Sequence, residues 1–293
     1  MRIAVISDTR LPTREDGGHG LGMSAHSIAS GLVKLAGHQV DLFAGPGSEY
    51  EAGELHVFGN ETEAAVWLRN NYYQVYDAIL DTSHSHKLST LAWAAPVVNR
   101  ICDLECTYNP PCAVVNSPFM ASRYPAAKLV NTGIDAPGAY FSYDPGQYLL
   151  YASAFTGNNG YHTLPSLERQ LDTNGRLRVM HGLTGADRWQ VLAGATALVM
   201  LSTASAAPRL PIEAGMMGTP VLCLSGDGAE YHVINDLTGY VCHSLEDLAE
   251  KVGRIPSINR KACRAWMLEH HGYKEMIENY DQLLKCAANG GTW

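Results

Sequence analysis

No uninterrupted apolar stretch in this sequence reaches the roughly 18–20 residues that a membrane span requires, which argues against an integral membrane protein. A leader is not evident either. The opening "MRIAVISD" meets a charge within eight residues and reads as a first strand rather than a signal peptide. Positive charge is in deficit: Lys plus Arg number 21 against 29 Asp plus Glu, for a net charge of −8. Residues 1–145 carry 9 basic and 15 acidic residues, net −6. Such a chain is poorly suited to non-specific attraction to polyphosphate or anionic lipid, so duplex DNA is a disfavoured partner. Paired cysteine spacing is missing. The seven cysteines are odd in number, and Cys102, Cys106 and Cys112 in "CDLECTYNPPC" stand four and six residues apart, unlike the usual tight zinc pairs. They read as buried or free thiols, a metal site shared with His84 and His86 being the alternative; no metal is expected. No internal repeat of fixed short period is visible. These absences leave a soluble, cytoplasmic globular protein as the expectation.

Apolar residues make up 46% of the 293, enough to bury the cores of two ordinary domains of about 100–150 residues each. Short apolar runs alternate with helical patterns. "RIAVIS", "HQVDLFAG", "YDAILD", "APVVNR" and "CAVVNS" are strand candidates in the first half. "YLLYASAF", "LRVMHG", "ALVMLS", "TPVLCL" and "TGYVC" are the candidates in the second. Ala25, Ile28, Ala29 and Leu32 mark a helix starting near Ser24. Met276, Ile277, Tyr280, Leu283 and Leu284 share one face of a closing helix. Strands separated by helices imply parallel sheets covered on both faces. The alternation breaks in "DAPGAYFSYDPGQ", which reads as a linker. The expected architecture is α/β, with two Rossmann-like doubly wound parallel-sheet domains facing across a cleft. Their expected bounds are 1–140 and 147–258, with C-terminal helices over 259–293, the last crossing back to the first domain.

In open parallel sheets ligands bind beyond the carboxyl ends of the strands, so the loops that follow strands hold the candidate site residues. Gly17, Gly18, Gly20 and Gly22 precede a helix and permit close approach of a ligand to the backbone. A dinucleotide fingerprint is excluded. The glycines begin about ten residues after the strand, their spacing is G-x-G-x-G, and Asp41 lies near the start of the next strand rather than its end. Asp81, His84 and His86 in "LDTSHSHKL" follow a strand end, where a histidine can accept a proton or hold a sugar hydroxyl; they also fit a surface loop. In "SGDGAEYHV", Gly226 and Gly228 offer amides to phosphate or sugar, and Glu230 opens an apparent helix; a plain tight turn is the other reading. In "PIEAGMMGTPVLCL", Glu213 falls in the first turn of a helix starting near Leu210–Glu213. A carboxylate there serves as a capping charge, or accepts two hydrogen bonds from a ribose diol.

Taken in order, "GGHGLGMSAHSIASGLVKLAGHQVDLF", "YDAILDTSHSH", "LVNTGIDAPGAYF", "YLLYASAFTGNNGYHTL", "VLAGATALVMLS", "PIEAGMMGTPVLCL" and "LTGYV" resemble the retaining glycosyltransferases of family 4, which have the GT-B fold. The resemblance runs along almost the whole chain. It implies transfer of a sugar from a nucleotide-diphosphate sugar, bound mainly by the second domain, to an acceptor hydroxyl held by the first. Configuration is retained, with neither metal nor cofactor. Under this resemblance Glu213 matches the glutamate that binds ribose, and Asp81, His84 and His86 fall on the catalytic side. Gly17, Gly18, Gly226, Gly228 and Glu230 fall among the donor contacts.

The departures are as informative. Ser205 stands where the family's first glutamate contacts the donor sugar. Ser153-Ala154 replaces its Gly-Arg, and Asn159 its lysine, so the basic pair that meets the diphosphate is missing. One such charged hydrogen bond contributes about 1.5–3 kcal/mol. Arg209 is the first substitute, with Arg188 and His162 next. Two other outcomes are compatible with this pattern: a degenerate GT-B protein that binds nucleotide sugar without turnover, and a nucleotide-sugar epimerase. A small molecule or glycan suits the acidic first half as acceptor. A hydroxymethylated DNA base would use aromatics such as Tyr72, Tyr73, Trp93, Tyr108 and Tyr124 for stacking, although these also serve as ordinary packing.

Overall fold

A computed structural model describes residues 1–16, 20–71, 75–86, 95–102, 110–142, 144, 146–152, 160–171, 177–180, 182, 184–202, 208–226 and 228–293. The chain forms two compact units, one holding Met1–Gly133 and Tyr273–Trp293, the other Ile134–Gly272.

The first unit is built on seven parallel strands. They are β1 (Arg2–Ile6), β2 (Gln39–Ala44), β3 (Glu54–Val57), β4 (Ala78–Asp81), β5 (Val97–Ile101), β6 (Ala113–Val115) and β7 (Lys128–Leu129). Their order is β3-β2-β1-β4-β5-β6-β7, which reverses direction between β1 and β4. Because side chains alternate across a strand, β1 serves both faces. Ile3 and Val5 join Ile28 and Leu32 of helix α1 (Gly20–Lys34) and Met276, Ile277, Tyr280 and Leu284 of the closing helix. Ala4 and Ile6 face the other way, with Phe43, Ile79 and the α2 residues (Glu61–Asn71) Ala65 and Leu68. Helix α3 (Pro118–Arg123) is capped by Ser117, whose hydroxyl accepts from the Met120 amide. Gly31 is where α1 and the closing helix meet: a Cβ there would lie 2.4 Å from Ile277 Cδ1 and 2.7 Å from the Tyr273 hydroxyl.

Five more parallel strands make the second unit: β8 (Leu149–Ala152), β9 (Leu177–Met180), β10 (Ala197–Met200), β11 (Val221–Leu224) and β12 (Gly239–Cys242). The order β12-β11-β10-β8-β9 puts the strand-order reversal at β8, between β9 and β10. Helices α4 (Leu164–Leu171), α5 (Gly185–Gly194), α6 (Arg209–Met216), α7 (Leu245–Val252) and α8 (Arg260–His270) cover it. Leu150, Leu198 and Val221 pack with Leu192, Ile212 and Met267 on one face. Tyr151, Val199 and Leu222 pack with Leu167 and Leu248 on the other. Gly218 ends α6 with φ +73, and a Cβ there would meet the Arg260 carbonyl at 2.9 Å, so the Gly-Thr-Pro turn requires glycine.

Arg260 is buried and donates to the carbonyls of Ala193 (2.7 Å), Ala195 (3.0 Å) and Ser142 (3.0 Å) and to the Thr219 hydroxyl (2.8 Å). It thereby holds the end of α5, the turn after α6 and part of the Pro/Gly/Tyr stretch in one cluster. That stretch, read from sequence as a linker, belongs to the second unit by its packing. The chain then rejoins the first unit as α9 (Tyr273–Ala288), whose Tyr273 hydroxyl donates to the Ser27 carbonyl at 2.8 Å.

Candidate functional site

In the second unit the reversal at β8 focuses attention on the helices that follow its two neighbours. Helix α5 follows β9 and α6 follows β10. Arg188 lies in the first turn of α5 and Arg209 is the first residue of α6. Both converge on Glu213. Arg188 Nε donates to Glu213 Oε2 at 2.8 Å, its Nη2 reaches the same oxygen, and Arg209 Nε donates to Oε1 at 3.2 Å. Each carboxylate oxygen thus serves a different arginine. The Glu213 side chain is fully buried, whereas those of Arg188 and Arg209 keep 12% and 9% of their exposure.

This geometry corrects the sequence reading of the helix. Helix α6 begins at Arg209, so Glu213 stands in its second turn, too far in for a capping charge. Its carboxylate stays buried because two guanidiniums satisfy it. A carboxylate buried without such partners would cost several kcal/mol. Of the three groups, two are cationic and one is anionic. Sequence reasoning named Arg188 only as a reserve cation and missed its pairing with a residue 25 positions away. The sequence signal was weak: the helix dipole disfavours a first-turn guanidinium by only about 0.3–1 kcal/mol, and Asp187 in the same turn already offers an anion.

The 225–232 loop behaves differently from the expectation of open amides. Gly226 has φ +88 and its N–H donates to Glu230 Oε2 at 3.0 Å, so Glu230 closes its own loop. Gly228 to His232 form a 3-10 turn rather than an α-helix. At its end His232 is buried edge-on against His271, with Nδ1 and Nε2 3.3 Å apart. Burial, with the neighbouring His271 adding to it, pushes the His232 pKa down to about 3. Ser205, Asn159, Ser153 and Ala154 lie outside the described residues, as do Gly17 and Gly18.

In the first unit the strand order reverses between β1 and β4, and the loops after these strands hold a buried polar cluster. Asp81 ends β4 fully buried; its Oδ1 accepts from the Ser83 amide at 2.9 Å and its Oδ2 lies 3.9 Å from His86 Nδ1. His86 is 3% exposed with φ +47, a conformation that non-glycine residues rarely adopt. His84 is partly exposed. Asp8, after β1, accepts from the Arg10 amide and Nε, both at 2.9 Å. Burial pushes the Asp8 carboxyl up, but the Arg10 hydrogen bonds outweigh it and hold the group below its ordinary value. The hydroxyls of Thr9 and Ser83 are buried with no hydrogen-bond partner among the described residues. Such orphaned polar groups are uncommon in folded proteins.

Among the described residues, one group has metal-ligand spacing: Asp41, Glu54 and His56, with ligand atoms within 4.8 Å of one another. Arg2 Nη2 stands 2.8 Å from Asp41 and 4.0 Å from Glu54, so a guanidinium already meets that charge. Of the cysteines once considered for zinc, Cys112 is buried, Cys102 half-buried and Cys106 outside the described residues. Of the aromatics considered for stacking, Tyr124 is partly buried at the end of α3; Tyr72, Tyr73, Trp93 and Tyr108 lie outside the described residues. No helix among the described residues is long and apolar enough to cross a membrane.

No protein-family model and no curated protein sequence matches the chain. Solved structures do. AviGT4, a glycosyltransferase involved in avilamycin A biosynthesis, is 17% identical with a TM-score of 0.74, covering 100% of this chain and 99% of that one. Sucrose-phosphate synthase from Thermosynechococcus elongatus is 16% identical with a TM-score of 0.75, covering 99% and 100%. HepE from Anabaena, solved with UDP and glucose, is 15% identical with a TM-score of 0.73, covering 97% and 99%. Two parallel-sheet α/β units and likeness to these glycosyltransferases over the whole length give this chain the GT-B fold.

Proposed function

We propose that this chain is a glycosyltransferase that moves a sugar from a nucleotide-diphosphate sugar to the hydroxyl of a small molecule or glycan, with retention of configuration and without a metal. The observation that carries this reading is the Arg188–Glu213–Arg209 group at the strand-order reversal of the second unit. It supplies a carboxylate for the ribose diol and cationic charge for the diphosphate, which replaces the basic pair absent at Ala154 and Asn159. HepE structures containing UDP and UDP-glucose support a nucleotide-sugar donor.

In the reaction the bond from the anomeric carbon to the diphosphate oxygen breaks, and a bond from that carbon to the acceptor oxygen forms on the same face. The electron pair leaves with the nucleoside diphosphate, whose developing charge the arginines meet. The acceptor hydroxyl loses its proton. We assign that proton to His84, the partly exposed member of the Asp81–His84–His86 loop, with Asp81 and His86 setting the loop's shape.

The test is a panel of UDP-, GDP- and ADP-sugars, reading nucleoside diphosphate release with and without pooled acceptors. Acceptor-dependent release from at least one donor is expected. Binding without release under every acceptor would instead assign a binding role, the outcome favoured by the substitutions at Ala154 and Asn159. No binding of any donor counts against the reading as a whole.

A further inference from the structure

The arrangement of the three charged groups around Glu213 is more specific than a ribose-binding glutamate requires. Both guanidiniums are engaged by its carboxylate, and it has no exposure of its own. Of the three groups, the two guanidiniums are the ones that keep some exposure. With both carboxylate oxygens engaged, a ribose hydroxyl that binds Glu213 competes with a guanidinium for its acceptor. A diphosphate tips that competition: it has more acceptor oxygens and more negative charge than one carboxylate, and guanidinium binds phosphate in the same forked geometry.

We infer that Arg188 is a donor-binding residue, forming with Arg209 a diphosphate clamp for which Glu213 is the positioning residue. This rests on the donor reading above. Before the donor arrives, the carboxylate holds two mutually repelling guanidiniums side by side. When the diphosphate arrives it draws at least one of them onto its own oxygens, and the released carboxylate oxygen accepts the ribose hydroxyls. No covalent bond changes in this exchange. Recognition of ribose is thereby coupled to recognition of the diphosphate. A nucleoside lacking phosphates must displace an arginine with nothing to offer in return, so it binds poorly.

The coupling gives Arg188 a signature that a structural residue lacks. Removing it leaves Glu213 paired with Arg209, so the buried charges still balance and folding is preserved. It also removes half of the clamp while unmasking one carboxylate oxygen. Binding of UDP, GDP, ADP, the three parent nucleosides and inorganic pyrophosphate would be measured by calorimetry on the full chain. The proteins are wild type, Arg188→Met and Arg188→Lys, with thermal unfolding run alongside to verify that each variant is folded. Arg188→Met is expected to weaken the preferred nucleoside diphosphate and pyrophosphate by about ten- to a hundredfold. The matching nucleoside should bind as well as, or better than, it does to wild type. Arg188→Lys keeps the charge without the fork and should fall between the two.

Equal losses for nucleoside and diphosphate in folded Arg188→Met would overturn the inference in favour of a structural role. Unchanged diphosphate affinity would overturn it while leaving the donor reading intact. Wild type that binds pyrophosphate in an Arg188-dependent way, but no nucleoside diphosphate, would uphold the clamp and remove the transferase reading. Wild type that binds none of the probes removes both.

Discussion

Glu213 shows how much a single residue can depend on its neighbours. Its substitution by alanine leaves two partly exposed guanidiniums without the carboxylate that pairs them. The expected cost is about 1.5–3 kcal/mol of folding stability, read as a lowered urea midpoint. Arg209→Met should cost clearly less, because Arg188 still balances the carboxylate. A second residue-scale effect concerns acid. The His232 pKa is depressed in the folded protein, so below its ordinary value of about 6.5 the unfolded chain takes up a proton that the native protein refuses. Stability contributed by neutral His232 is present above that value and is lost as pH falls from about 6.5 towards 3. A His232→Gln variant should therefore show a shallower fall in melting temperature across that window than wild type, and parallel curves would contradict this. At this scale the sequence singled out Glu213 through the order of motifs around it and Arg209 as a substitute cation, and the structure pairs the two at 3.2 Å. The sequence did not disclose the Arg188–Glu213 contact, because only the fold brings α5 and α6 together, nor that Glu230 would claim the Gly226 amide.

Elements were legible where burial was complete. β1, β4, β8 and β10 are sealed on both faces, and their apolar runs announce parallel strands. β3 and β7 escaped notice because they are edge strands: "ELHV" is half-exposed and "KL" exposed, so neither needs an apolar run. Helix α1 starts at Gly20 rather than near Ser24; its glycine-rich opening turn has low intrinsic propensity, which hid it in the sequence. Arg260 is the clearest device at this scale. One guanidinium serves acceptors from three segments: the Ser142 carbonyl, the Ala193 and Ala195 carbonyls and the Thr219 hydroxyl. Arg260→Met should lower stability by about 3 kcal/mol, and Arg260→Lys should recover only part of it because an ammonium cannot reach all the acceptors at once. Thermal melts of the pair would check this. Gly31→Val is expected to cost about 1–3 kcal/mol or more by forcing α9 away from α1.

For the molecule as a whole, the two doubly wound sheets were readable because strand and helix patterns alternate along both halves and break between them. The acidic balance, net −8, predicts no salt-sensitive retention on duplex DNA at low ionic strength, which a gel-shift titration would test. In the second unit the Arg188–Glu213–Arg209 group is the candidate anion-binding site. If a nucleoside diphosphate binds there, saturation at a hundred times its Kd should add about 2.7 kcal/mol of stability, visible as a raised melting temperature.

The return of the chain to its first unit has a consequence for biosynthesis. Met276, Ile277, Tyr280 and Leu284 fill the core of a unit whose other residues emerge from the ribosome long before them. Until translation reaches that last segment, the early half carries an uncovered greasy face, and only the later half can finish folding on its own. Newly made chains stalled before residue 273 should accordingly be clients for chaperones and easy prey for proteases, their first half unfinished although nearly all of its residues are already present.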